Sequence, residues 1–337
     1  MSGIPIRNIY YMILYAFDKV KHLDQIEDKS FENVSIASEV MVELFLNEVG
    51  NICRKGIYRD YNRVTEESLF IKGKLDIKST ILKSKSTSTI IYDDFNGNND
   101  INKIIKYTLN RIIFSNVKQE FKNRAKLYYS YFNKVDLIEL SDDIYRTCLL
   151  NRINSNYEFA IKLSVYINKK IIPDNHKGKL KFYDILDDEE TMSTIYEQFL
   201  RNFYKIHTDY DVSRKNYNWF LKPLEGSDYS LLPKMETDIE IEINKDYKII
   251  IDAKYYKEAL NSRYSAKKFA SNNIYQMNTY LVHNLRYNKL RGILLYPCVT
   301  EEFHQYFEKK NSYTIEFHTI DLSQRWNEIS QNLISIV

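Results

Sequence analysis

Asp238 and Asp252 lie on two alternating stretches that fold toward one another, with Lys254 two residues beyond Asp252. Ile239, Ile241 and Ile243 alternate with Asp238, Glu240 and Glu242. After the polar turn Asn244-Lys245-Asp246 the apolar series resumes at Ile249, Ile251 and Ala253. This period of two predicts a β-hairpin with one face buried and the other carrying the charges. A three-residue loop pairs Ile243 with Tyr247, Glu242 with Lys248, Ile241 with Ile249, Ile239 with Ile251 and Asp238 with Asp252. A slip of one residue mixes the faces, so the isoleucine pairs specify the register. Two carboxylates then oppose each other with Cβ atoms about 5 Å apart, which costs stability unless something positive lies between them. Lys254 points to the same face. The three cysteines and six histidines are scattered, with neither C-x-x-C nor H-E-x-x-H, so any metal must be held by oxygen.

Asp238, thirteen residues, then Asp252-Ala253-Lys254 resembles the PD-(D/E)xK nuclease site. The resemblance implies carboxylates that hold Mg²⁺ against a scissile phosphate and a lysine that orients or deprotonates the attacking water. Spacing alone is weak, because acid-x-Lys also occurs at Glu27, Asp76, Glu120, Asp246 and Glu308 in a chain that is 28% charged. The hairpin and its unpartnered acids are what favour chemistry over a solvated edge whose acids meet surface lysines. Glu197 is a candidate third metal carboxylate, with an exposed glutamate as the plainer alternative. Gln276 and Tyr280, four apart on a helical face, are candidates to bind a phosphate or brace the metal site. Lys257, Arg263, Lys267 and Lys268, with Arg286, Lys289 and Arg291, offer a groove for a phosphate backbone lined by Tyr255, Tyr256 and Tyr264, or else a solubilising surface.

The elements that must position these groups follow from periodicity. Residues 5–20 and 37–55 read as helices, the second with Val40, Leu44, Phe45, Val49 and Ile52 on one stripe. Short strands are expected from Tyr58 to Thr80 and at Ile90-Ile91-Tyr92. A helix capped by Asp100 follows, then helix over 116–133 with a solvated basic face, and another from Tyr157 to Ile172 closed by Pro173. Asp187 to Glu190 open a helix whose buried stripe is Met192, Ile195, Phe199 and Phe203. Strand-like segments at Asn216–Leu221 and Leu231–Pro233 lead into the hairpin. Beyond it come a helix from about Ala266 to His283 and strands at Gly292–Tyr296 and Tyr313–Asp321. The order predicts a mixed α/β chain: an N-terminal α+β domain over 1–155, then a nuclease-like domain over 156–337 with a mixed sheet flanked by helices. The boundary falls between about 150 and 185.

A formal charge of +3 gives no global basic field, so a DNA surface must be local. None of the eight glycines forms G-x-x-x-x-G-K-[ST] or G-x-G-x-x-G, so nucleotide, if used, is bound by another subunit. No apolar run reaches membrane-spanning length, and Ile9 to Phe17 reads as a buried first helix, so a cytoplasmic protein is expected.

Four blocks carry a wider likeness: Ile4-Pro5-Ile6-Arg7-Asn8-Ile9-Tyr10-Tyr11-Met12, Ile71-Lys72-Gly73-Lys74-Leu75-Asp76, Asn102-Lys103-Ile104-Ile105-Lys106, and Leu232-Pro233-Lys234-Met235-Glu236-Thr237-Asp238 with Asp252-Ala253-Lys254-Tyr255-Tyr256. In this order, and with Ile293-Leu294-Leu295-Tyr296-Pro297 after them, they resemble the McrC family, the nuclease subunits of the McrBC modification-dependent restriction system. The resemblance implies a Mg²⁺-dependent endonuclease that works with McrB, a hexameric AAA+ GTPase that recognises methylated cytosine and translocates DNA. It also implies an N-terminal domain that docks into the hexamer and stimulates GTP hydrolysis. Asp238, Asp252 and Lys254 match the family's catalytic positions, Glu197 and Gln276 less closely, and Arg146 and Arg152 are offered as docking residues. Two other readings stand beside this one: a stand-alone exonuclease or resolvase with the same core, and a non-catalytic regulator of the partner.

Overall fold

A computed structural model describes residues 3–20, 37–68, 70, 73–83, 88–141, 143–145, 148, 155–173, 180–182, 188–255, 261–263, 266–298 and 302–337. Two compact units emerge, and the first of them is discontinuous in sequence: residues 1–37 join 184–337, and 38–183 form the other. The division at 183/184 lies within the expected range of about 150 to 185, but the first 37 residues belong with the C-terminal unit, and the reason lies in the opening helix α1 (Ile6–Ala16). Its Tyr15 ring packs on Phe199, Phe203 and Trp326, and Asn8 donates to the carbonyls of Leu322 and Gln324 at 2.8 Å each. Those contacts bury α1 in the C-terminal unit.

In the middle unit, α2 (Ala37–Lys55) buries the expected stripe. The strands β1 (Asp60–Ser68), β2 (Lys74–Leu75) and β3 (Ser88–Asn96) form an antiparallel sheet with β3 in the centre. Strand was expected as far as Thr80, but α3 (Ile77–Lys83) intervenes, with Thr80 donating from both its amide and hydroxyl to the Asp76 carbonyl. The cap of α4 (Asp100–Phe114) is Asn99 rather than Asp100, because the Asn99 side chain accepts from the Asn102 amide at 3.1 Å. The expected solvated face of α5 (Gln119–Tyr129) is in part a contact: Arg124 reaches Glu43 at 2.6 Å and Asn47 at 2.7 Å on α2. The helix α6 (Ser155–Lys170) stops before Pro173, which lies in β4 (Ile171–Pro173), paired with β5 (Leu180–Phe182). Arg146 and Arg152 lie outside the described residues.

The other unit continues with α7 (Glu189–His207), capped by Asp188 and buried along Met192, Ile195, Phe199 and Phe203 as expected. There follow β6 (Asp211–Ser213), β7 (Asn216–Tyr217), β8 (Met235–Glu236), β9 (Ile239–Asn244), β10 (Tyr247–Ala253), the short pair β11 (Asn261–Arg263) and β12 (Ala266–Lys268), α8 (Ser271–Val282), β13 (Lys289–Cys298), β14 (His304–Lys309), β15 (Tyr313–Asp321) and α9 (Trp326–Ile336). A six-stranded sheet runs β14-β15-β13-β10-β9-β6. Its centre, β10, β13 and β15, is parallel, and β9, β6 and β14 are antiparallel to their neighbours. This is the mixed sheet that was expected, with α7 on β9, β10 and β6, and α8 on β13, β10 and β15. The approach of α8 explains Gly292, where a Cβ would meet Met277 Sδ at 2.6 Å and Leu281 at 2.8 Å.

The hairpin register holds from Lys248 opposite Glu242 through Ile251 opposite Ile239. Its tip differs, since Tyr247 pairs with Asn244 and a bulge takes up the extra residue, and the ladder ends at Ile251 opposite Ile239, one step short of the expected Asp238–Asp252 pair. The face expected to be charged and exposed is buried instead, because β10 is central and α8 covers it. On that face Lys248 and Glu240 are 3% and 1% exposed and lie 2.7 Å apart.

Between the neighbouring strands β13 and β15, Arg291 forks onto Glu316, two bonds of 2.7 Å each. Burial alone would raise the Glu316 carboxyl, but Arg291, His318 and Thr314 outweigh it and hold it down at about 2 against an ordinary 4.5. A carboxyl lowered by folding stabilises above its unfolded value and loses that contribution as pH falls through its folded one. Urea denaturation should therefore find Glu316→Gln weaker than the parent by about 2 kcal/mol at pH 6, with the gap closing between pH 4.5 and 2. A gap that does not narrow in acid contradicts this assignment.

Candidate active site

Hairpin geometry brings the two aspartates to one point. Asp238 precedes β9, and its Oδ2 accepts from the Ala253 amide at 2.9 Å, closing the hairpin where the ladder ends. Asp252 sits at the C-terminal end of β10, level with Leu294 on the parallel strand β13. The Lys254 amide continues that ladder onto the Leu295 carbonyl at 3.0 Å, which aims the lysine side chain back over Asp252. Its Nζ lies 2.7 Å from Asp252 Oδ2 and donates to Gln276 Oε1 at 2.9 Å.

Gln276 is itself held. Its Nε2 donates to the Tyr280 hydroxyl at 2.8 Å, and that hydroxyl donates to the Glu236 carbonyl at 2.7 Å. The glutamine and tyrosine that helical spacing placed together thus brace the lysine, and the last link in the brace is two residues from Asp238.

Asp252 is 1% exposed, and its Oδ1 finds no hydrogen-bond partner among the described residues. Burial raises its proton affinity first, Glu197 adds to that, and Lys254 opposes it. Asp238 is pushed up to about 8 by burial, the Asp252 charge and Glu197, against the opposing Ala253 amide and Lys254. Two carboxyls so raised, one with an oxygen that finds no hydrogen-bond partner among the described residues, make an acidic pair whose repulsion Lys254 offsets only in part.

A hard divalent cation fits this donor set. Mg²⁺ takes oxygen ligands and is commonly held by one or two carboxylates, with water and substrate phosphate completing its shell. Among the described residues no three His, Cys, Asp or Glu side chains are grouped so as to hold a metal by themselves. Glu197 faces both aspartates electrostatically, but its Oε1 is engaged by Arg201 at 2.7 Å. Arg201 also donates to the Asp238 carbonyl at 3.0 Å, so it ties α7 to the start of the hairpin. Sequence reasoning passed over Arg201, although it stands four residues after Glu197, the spacing of a helical ion pair.

Of the basic residues expected to form a groove, only Lys268, Arg286, Lys289 and Arg291 have described side chains. The chain over Ala266–Lys268 pairs with Asn261–Arg263 rather than starting the helix, so Arg263 and Lys267 belong to a small β pair and α8 begins at Ser271. Lys268 is exposed, Tyr255 is buried against Tyr196, and Lys257, Tyr256 and Tyr264 lie outside the described residues. Lys289 is level with Tyr247, five residues before Asp252, which places it about 17 Å from the aspartates along the sheet. Arg291 is committed to Glu316.

Comparison with known proteins adds to this geometry. A family model described as McrBC 5-methylcytosine restriction system component matches residues 7–297. The type IV methyl-directed restriction enzyme EcoKMcrBC of Escherichia coli strain K12 is 31% identical over 343 aligned positions, spanning 99% of this chain and 97% of that protein. A chain from the refined half-complex of the tetradecameric assembly of Thermococcus gammatolerans McrB AAA+ hexamers with bound McrC superposes with a TM-score of 0.53 at 14% identity. That match covers 97% of this chain and 76% of the other, and it is a likeness of fold.

Proposed function

The chain belongs to the family of McrBC 5-methylcytosine restriction system components, and from that premise we propose that it is the DNA-cutting subunit, a Mg²⁺-dependent endonuclease of the PD-(D/E)xK type. The observation that carries the reading is the meeting of Asp238, Asp252 and Lys254 at one strand end, with a buried Asp252 oxygen that has no hydrogen-bond partner among the described residues. Asp238 and Asp252 would hold the cation. When bound, it polarises the phosphoryl group and offsets the charge that develops there.

The chain's own residues do the rest. Lys254 presents an ammonium beside the cation site, where it orients the attacking water and adds positive charge as the phosphodiester bond breaks. Gln276 and Tyr280 fix where that ammonium sits, and Arg201 fixes the backbone of Asp238. No covalent intermediate with the enzyme is needed, so three residues suffice for hydrolysis.

The proposal extends to the partner. The related Thermococcus gammatolerans assembly contains McrB AAA+ hexamers with bound McrC, and this chain has neither of the glycine loops that cradle nucleotide phosphates. A GTP-hydrolysing AAA+ hexamer of the McrB kind, reading methylated cytosine in duplex DNA, is accordingly the partner we assign, with GTP bound there and its hydrolysis stimulated by this chain. A cytoplasmic location is part of this proposal; no helix among the described residues is long and apolar enough to cross a membrane.

The test is a cleavage assay on methylated and unmethylated duplexes with Mg²⁺, with and without a GTPase of the McrB kind and GTP. Cutting of methylated DNA that requires the partner and GTP is expected. Cutting by the purified chain alone would favour the stand-alone exonuclease or resolvase, and no cutting in any arm contradicts the enzyme reading.

A further inference from the structure

Between β7 and β8 the chain makes a long excursion whose residues 220–231 are all exposed. Phe220, Leu224 and Leu231 stand 75%, 81% and 81% open to water. Apolar side chains of this size gathered on one loop are unusual on a surface without a partner. The base of the loop is nevertheless built firmly. Phe220 stacks flat on His283 of the α8 C-terminus with ring centroids 3.9 Å apart, Trp219 Nε1 donates to the Pro233 carbonyl at 2.6 Å, and the Tyr229 hydroxyl donates to the Trp219 carbonyl at 3.1 Å.

The loop's exit leads straight to the site. Leu231 is seven residues before Asp238, so its backbone lies within about 25 Å of the aspartates. That is less than one turn of a duplex, about 34 Å. Charge also selects the occupant. Lys222 and Lys234 lie within the excursion and Lys215 just before β7, against Glu225 and Asp228, and Asp228 turns its carboxylate onto the Ser230 amide at 2.8 Å.

Resting on the nuclease reading, we propose that this loop is a DNA-contacting wedge: Leu224 and Leu231 enter the minor groove of the duplex held at Asp238 and Asp252, and the flanking lysines meet its phosphates. Minor-groove proteins insert apolar side chains between base steps in this way, and the leucine side chains leave water when they do so. A protein surface is the competing occupant.

The experiment measures anisotropy of a fluorescein-labelled 30-base-pair duplex with the full chain, in EDTA so that no strand is cut. Replacing both Leu224→Ser and Leu231→Ser should weaken binding about tenfold while leaving the melting temperature and the slope of affinity against salt unchanged. Lys222→Ala should instead lower that slope by about one. Unchanged affinity in the double variant overturns the wedge and leaves the nuclease reading standing. The same result together with lost self-association or lost binding of the GTPase assigns the loop to a protein partner. If the unsubstituted chain fails to bind the duplex, the wedge falls, while the nuclease reading is decided by the cleavage assay with the GTPase.

Discussion

Replacing Asp252 with asparagine should abolish DNA cleavage, by about a thousandfold or more, without weakening the fold. The loss follows from removing a carboxylate that holds the cation, whose stabilisation of the transition state is worth several kcal/mol. The intact fold follows from the sign of the proton affinity. Folding raises the Asp252 carboxyl rather than lowering it, so its ionised form opposes folding at neutral pH, and a neutral isostere relieves that opposition. Cleavage rates and thermal melts on the same preparation read both effects, and GTPase stimulation by the variant should be unimpaired. A fall in melting temperature that accompanies the loss of cutting would mean that Asp252 is structural. Unchanged cutting, with Asp238→Asn added as well, would make the chain a non-catalytic regulator.

Lys248→Ala should be the most destabilising single change in this unit. Lys248 and Glu240 are a buried pair 2.7 Å apart; the Lys248 ammonium also donates to Asn284 at 3.1 Å, and the Tyr217 hydroxyl donates to Glu240. Removing the lysine leaves a carboxylate in the core without its cation, a defect that costs about 3–5 kcal/mol. A drop of about 10 °C in melting temperature is expected. Replacing both partners by apolar residues, Glu240→Leu with Lys248→Met, should recover most of it, since no charge is then stranded. If the double variant melts as low as the single one, the network stabilises through its shape and hydrogen bonds rather than through charge balance.

Alternation at Ile239, Ile241, Ile249 and Ile251 was enough to read the hairpin and its register, because each step of two residues returns to the same face and any slip exposes the isoleucines. Asp238, Asp252 and Lys254 could be placed together on that basis alone. Lys248 shows where the logic stops. Its register partner is Glu242, yet its ammonium reaches Glu240, the diagonal neighbour, because burial of that face depends on α8, and pairing of strands carries no information about what covers them. That the opening helix belongs with the C-terminal unit was hidden for the same reason. Nothing local in Ile6–Ala16 says that its apolar stripe will pack on Phe199, Phe203 and Trp326, nearly two hundred or more residues away. The helix expected from Ala266 failed differently, since Ala266–Lys268 has partners in Asn261–Arg263 that a helical stripe does not reveal. The strand His304–Lys309 was not anticipated either: all six of its residues are exposed, so no alternation of burial marks it.

The central claim is that Asp238 and Asp252 jointly grip a divalent cation. Anomalous diffraction from crystals soaked in manganese measures this without relying on turnover. A peak within about 2.0–2.6 Å of a carboxylate oxygen from each aspartate is predicted, and it should vanish in Asp252→Asn. Manganese bound elsewhere, or no peak between the two side chains at saturating metal, would contradict the account.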